Sequence, residues 1–103
     1  MTGELTGKVA IVTGSGRNIG RAIALALADD GASVVVNTRS NLAEAKAVAR
    51  EIETVGPKAL VHVGDIADPA SVQAMVDLAM EEFGRIDILV NNAALRRESR
   101  LRR

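Results

Sequence analysis

Four short runs rich in β-branched residues alternate with three longer stretches of helical periodicity along this chain, and few folds accept that order. KVAIVT (Lys8–Thr13), SVVVN (Ser33–Asn37), ALVHV (Ala59–Val63) and IDILVN (Ile86–Asn91) read as strands. They are short and apolar on both faces, as parallel strands covered by helices are. Ile19, Ala22, Ile23, Ala26 and Leu27 form one helical stripe; Leu42, Ala45, Ala49 and Ile52 a second; Val72, Met75, Val76, Ala79 and Phe83 a third. Gly31, Gly56 and Gly84 stand where helix C-caps belong, and Asp68-Pro69 has the form of an N-cap with proline at the first helical position. The order β-α-β-α-β-α-β with right-handed crossovers predicts an α/β fold, a parallel sheet with helices on both faces.

Composition narrows the class further. The 103 residues are enough for one domain with one core, and Phe83 as sole aromatic makes that core aliphatic. Without cysteine there is no disulfide framework, thiolate nucleophile or Cys-bound metal, and no metal site is expected. The longest apolar run, Ala22–Ala28, is seven residues, far below the ~20 that cross a bilayer. MTGELTGK lacks the features of a signal peptide, so a soluble, cytoplasmic protein without a membrane partner is expected. The formal charge of zero is uneven: residues 1–94 carry 8 basic and 12 acidic side chains, whereas LRRESRLRR (95–103) carries five Arg and one Glu. The division expected is a globular unit over 1–94 and an Arg-rich tail over 95–103. The tail lacks interleaved aromatics and the body is acidic, so nucleic acid is not an expected partner.

The segment Thr13-Gly14-Ser15-Gly16-Arg17-Asn18-Ile19-Gly20 joins the first strand directly to the first helix. Glycines there let the backbone turn sharply and approach a phosphate, which the N–H groups and positive dipole end of the helix then hold. Gly20, one turn into the helix, permits close packing of helix on strand. Any tight βα turn favours glycine, but the strand before, helix after and complete βαβ unit point to a nucleotide site. A Rossmann-type site for NAD places an acid at the end of the second strand, to hold the ribose hydroxyls. Here that end reads Asn37-Thr38-Arg39-Ser40, and Arg39, with Arg17, suits a 2′-phosphate. The reading favours NADP over NAD, against the alternative that both arginines are merely solvated. Asp65-Ile66 after the third strand offers a carboxylate for an adenine amino group, or simply caps a turn. Asn91-Asn92 at the end of the fourth strand offers amides that bridge strands and reach a ribose, or simply favours the start of a loop. His62 lies within a strand and is expected to have a structural role.

VTGSGRNIGRAIA (12–24), GDIADPASV (64–72) and EFGRIDILVNNAA (82–94), in this order and spacing, resemble the short-chain dehydrogenases/reductases, and within them the 3-oxoacyl-[acyl-carrier-protein] reductase group. The resemblance covers about residues 5–95. It implies a Rossmann-type doubly wound parallel sheet, here limited to four strands in the order 3-2-1-4 with three helices. It further implies that Gly14, Ser15, Gly16, Arg17 and Ile19 line the cofactor phosphates. Arg39 would lie by the 2′ position, Asp65 and Ile66 by the adenine, and Asn92 by the ribose. Two departures stand out: Asn18 replaces a usual glycine, tolerably because Asn accepts left-handed backbone and is a good N-cap, and Ala94 replaces the glycine of NNAG.

The family's reaction is hydride transfer between a nicotinamide dinucleotide and a carbonyl or alcohol. Its proton is handled by Tyr-x-x-x-Lys on a later helix, with a Ser from a fifth strand. This sequence contains no tyrosine, and Ser99 lies in a segment without strand pattern. No catalytic residue is therefore assigned, and the chain by itself is expected to be inactive: the cofactor-binding first half of a reductase, or alternatively a non-catalytic nucleotide-binding module. The first two helices should cover one sheet face and the third the other. The fourth strand should form a bare edge through which chains self-associate.

Overall fold

In a computed structural model, which describes residues 3–92, four strands and three helices alternate in the expected order. They are β1 (Val9–Val12), α1 (Asn18–Asp29), β2 (Ser33–Thr38), α2 (Leu42–Val55), β3 (Ala59–Val63), α3 (Pro69–Phe83) and β4 (Ile88–Val90). The strands form one parallel sheet in the order β3-β2-β1-β4, so the Rossmann-type topology is as predicted.

Alternation along the strands distributes the core. Val12, Val34 and Val36 point to one face, where Ala24 and Ala28 of α1 and Ala45, Val48 and Ile52 of α2 meet them. Ile11 and Val35 point to the other, against Met75 and Ala79 of α3, with Phe83 and Ile86 at its margin. Two helices on one face and one on the other is the predicted division.

The caps stand where the sequence placed them. Asp68 accepts a hydrogen bond from the Ala70 N–H at 3.0 Å with Pro69 behind it, and Gly84 closes α3 in the left-handed region at φ 80°. Asn41, which the sequence reading passed over, caps α2 through the Glu44 N–H at 3.1 Å.

Two stripes need correction. In α1 the buried residues are Gly20, Ala24 and Ala28; Ile23 and Leu27 of the expected stripe pack, half-buried, against the same cluster, while Ile19, Ala22 and Ala26 are exposed. Nearly every position from 19 to 28 is apolar, so periodicity alone does not choose a face; the small residues turn inward because they let the helix lie close to β1. In α2 Val48 is buried and Leu42, in the first turn, is exposed. The strands are also trimmed or extended at their ends: β1 excludes Lys8 and Thr13, β4 excludes Ile86, Asp87 and Asn91, and β2 gains Thr38. Just before β4 Asp87 clamps the sheet to Val9 with both backbone and side chain: its N–H donates to the Val9 carbonyl at 2.9 Å and its carboxylate accepts from the Val9 N–H at 2.9 Å. The carboxylate also accepts from Arg85 Nε at 2.8 Å, and the Arg85 bond first, then the Val9 N–H, hold it below the usual carboxylate range. The expected tail, 95–103, and Ala94 lie outside the described residues.

Candidate dinucleotide-binding site

β1 runs straight into the glycine-rich turn. The Thr13 N–H continues the ladder to β4 by donating to the Val90 carbonyl at 3.0 Å. Gly14 then takes φ 63°, a left-handed conformation that reverses the chain. Its N–H donates to Asn37 Oδ1 at 3.0 Å, and the next N–H, of Ser15, donates to the Asn37 carbonyl at 2.8 Å. The Ser15 hydroxyl is fully buried, donating to the Val12 carbonyl at 2.6 Å and accepting from the Asn37 N–H at 3.0 Å. The turn is therefore fastened to β2 on its inner side, with the Ser15 hydroxyl committed to the protein.

The three glycines of this turn do different work. A Cβ on Gly20 would collide with the Gly14 carbonyl oxygen and come within 2.8 Å of Asn92 Nδ2, so the close approach Gly20 permits is to the turn and to Asn92, where helix-on-strand packing was expected. A Cβ on Gly16 would find only ordinary contact, 3.5 Å from the Thr38 hydroxyl and 3.6 Å from Glu44. Asn18 has φ 55°, the left-handed conformation its type was expected to tolerate. The expected capping role falls elsewhere: the N-cap position is Arg17, extended at φ −164° and making no side-chain cap bond. The first-turn N–H groups of α1 thus lack the side-chain acceptor that Asn41 supplies to α2 and Asp68 to α3.

The remaining residues singled out in the sequence gather in two places. Asn92 Nδ2 donates to the Gly14 carbonyl at 3.2 Å, and Asn91 Oδ1 accepts from the Thr13 hydroxyl at 3.3 Å, so the paired amides do bridge β4 to β1. Arg39 and Asp65, from the ends of β2 and β3, face each other with Nη2 3.6 Å from Oδ2, and the arginine is largely exposed. The other Asp65 oxygen accepts from the Ala67 N–H at 2.9 Å, so this carboxylate also caps its turn. Ile66 beside it is half-buried, Ile19 is 66% exposed, and Arg17 is exposed. A shallow hollow of about 510 Å³ between α1 and α2, lined by Arg21, Ala47, Arg50, Glu51 and Thr54, includes none of these residues.

The organising residue that the sequence reading missed is Asn37. It is 1% exposed, and its amide joins the turn to β3 through His62 and Gly64. A polar residue closing an otherwise valine-built strand was the available signal. Among the described residues no cluster of acidic, histidine or cysteine side chains suits a metal, and no helix is long and apolar enough to cross a membrane.

The sequence profile of the family described as short chain dehydrogenase matches residues 8–103. An uncharacterized oxidoreductase of Methylorubrum extorquens is 47% identical over 92 residues, 89% of this chain and 37% of that protein. A versicolorin reductase of Emericella nidulans is 46% identical over 92 residues, again 89% of this chain, and 35% of its own length. Among solved structures, a hydroxysteroid dehydrogenase from Escherichia coli superposes with TM-score 0.81 at 41% identity, over 87% of this chain and 38% of that one. A 7α-hydroxysteroid dehydrogenase complexed with NADH and 7-oxo glycochenodeoxycholic acid gives the same TM-score and identity, over 87% of this chain and 35% of its own. The chain spans a little over a third of the length of these relatives.

Proposed function

The chain belongs to the short-chain dehydrogenase family, and from that membership we propose that it is the dinucleotide-binding portion of an oxidoreductase moving a hydride between NADP(H) and a carbonyl or alcohol. The observation that carries the reading is the start of α1. Of the three helices it alone lacks a side-chain cap, and it is the one that follows the glycine turn. Exposed N–H groups and a positive dipole end at that point suit a pyrophosphate. In this reading Gly14, Ser15, Gly16, Arg17 and Ile19 surround the pyrophosphate, and Asn92, bonded to the Gly14 carbonyl, contacts a ribose; that bond supports the assignment.

The preference for NADP rests on β2. Its end presents Arg39 and no acid, and the solvent-facing guanidinium, lightly tethered by Asp65, is free to take a 2′-phosphate. Asp65 and Ile66 then lie on the adenine side. The bound dinucleotide would supply the hydride; these residues only hold and orient it. The 103 residues contain no tyrosine, so by themselves they are expected to bind without turnover, which also favours the second reading, a non-catalytic nucleotide-binding module.

Because the sequence has no Trp or Tyr, emission from bound NADPH is readable without protein background. NADPH is expected to bind more tightly than NADH, and Arg39→Ala to weaken NADPH by about tenfold while barely affecting NADH, as for loss of one charge-assisted pair. NADH binding at least as tightly as NADPH would sink the 2′-phosphate assignment. Binding of neither below millimolar would sink the nucleotide reading.

We also propose that copies associate through β4, which ends the described sheet and exposes Leu89 to 65%. Sedimentation at about 100 μM checks this for a contact with a Kd of about 10 μM or tighter, and a monodisperse monomer refutes association of that strength.

A further inference from the structure

The Asn37 amide has its orientation fixed by chemistry. The Gly14 N–H can only donate, so the amide oxygen faces it, at 3.0 Å. Nδ2 is thereby turned to β3, 3.1 Å from His62 Nδ1 and 3.4 and 3.3 Å from the carbonyls of His62 and Gly64. An amide nitrogen only donates, so His62 Nδ1 is the bare, accepting nitrogen of a neutral ring whose proton sits on Nε2. The ring is also confined: a Cβ at position 64 would lie 2.8 Å from its Cε1.

Building on the dinucleotide reading above, we propose that Asn37 is a positioning residue for the phosphate-facing turn and that His62 sets the strength of its hold. Protonating His62 puts a second donor against Asn37 Nδ2, loosens the amide from Gly14 and weakens dinucleotide binding. The groups against the ring are Asn37 from β2, Gly64 from the following loop and Ser71 from α3, none of which titrates. Among the described residues no charged side chain contributes to the ring's proton affinity, and burial lowers it. The folded chain therefore holds the His62 proton less firmly than the unfolded chain. The stability this confers is complete above the ordinary imidazole range and is lost as pH falls through the lowered folded value.

The test compares the chain with its His62→Asn variant, whose side-chain oxygen stands near the place of Nδ1 and does not titrate. NADPH affinity is measured from about pH 8 downward through and below the ordinary imidazole range, until the ¹⁵N shifts of the His62 ring show it protonated in the folded chain. The parent is expected to lose about fivefold more affinity than the variant, the worth of one hydrogen bond. Titration of the NADPH phosphate is common to both and cancels in the ratio. Parallel pH profiles would overturn the proposal.

A second readout needs no ligand: hydrogen exchange at the Gly14 amide, corrected for its intrinsic pH dependence, with ¹⁵N shifts of the His62 ring. Protection at Gly14 should fall as the ring protonates, and protection indifferent to the ring would overturn the latch even in a chain that binds. In Asn37→Asp the carboxylate still accepts from Gly14 but has no donor for Nδ1, and the protonated ring becomes its partner, so the pH dependence should reverse; an unreversed profile counts against the proposal. A chain with ring-dependent protection that binds neither NADPH nor NADH would overturn the nucleotide reading, and with it the positioning role, while leaving the latch itself established.

Discussion

Replacing Gly20 with alanine is expected to destabilise the chain by about 2–3 kcal/mol and to abolish dinucleotide binding. In an ordinary helix the change would help, since alanine is favoured over glycine by about 1 kcal/mol. Here the added methyl meets backbone, the Gly14 carbonyl, with Asn92 Nδ2 at 2.8 Å. That carbonyl cannot swing aside, because Gly14 and Ser15 are fastened to Asn37 by their N–H groups and Asn92 holds the carbonyl itself. Helix α1 must instead back away from β1, which moves its N–H groups off the proposed phosphate position. Urea unfolding and NADPH titration read the two effects. Gly16→Ala is the control for the unfolding measurement, because its Cβ meets only ordinary contacts within the chain, and a Gly20→Ala chain as stable as Gly16→Ala would show that the turn is not a fixed point.

The second large effect is in the core. Ile52→Ala is expected to lower the unfolding free energy by about 3–4 kcal/mol, a large part of the 5–15 kcal/mol typical of a domain. Ile52 is fully buried, and its cluster is built from Val12, Val34, Val36 and Val48 with Ala24, Ala28 and Ala45. Alanines anchored on helix backbones cannot swell into a vacated space, so the cavity persists. The paired measurement is Leu42→Ala, expected to stay within about 0.5 kcal/mol because Leu42 is 46% exposed. Sequence periodicity puts the two residues on one stripe, so equal losses would favour that stripe over the structure.

The case of α2 marks where the sequence was legible and where it was not. Element order and the caps at Asp68, Gly56 and Gly84 rest on residues with one strong local preference, the sheet order on the family resemblance, and all three readings survive in the structure. Which face of α1 turns inward does not, because an almost uniformly apolar helix carries no phase information. For the site, the conformations demanded at Gly14, Asn18 and Gly20 were readable from residue type. Pairings between strand ends were not: Arg39 with Asp65, Asn92 with Gly14, and above all Asn37 with both Gly14 and His62. These are set by register, which no single strand encodes. That Asn91 and Asn92 bridge strands was one of two readings open at the sequence, and their partners Thr13 and Gly14 came only with the structure.

That register also has a kinetic meaning. β1 meets β2 through Val9 and Ser33, neighbours after one crossover, whereas Val9 and Asp87 are 78 residues apart in the chain. Closing the longer loop costs about 1 kcal/mol more chain entropy, so docking of β4 is expected to follow pairing of β1 with β2, a sequence that pulse-labelled hydrogen exchange at Thr13 and Ser33 would test. The bonds of Asn91 to Thr13 and of Asn92 to Gly14 would form with that docking. The inner half of the glycine turn, tied to Asn37, takes shape with the first three strands, and its outer half waits for the fourth.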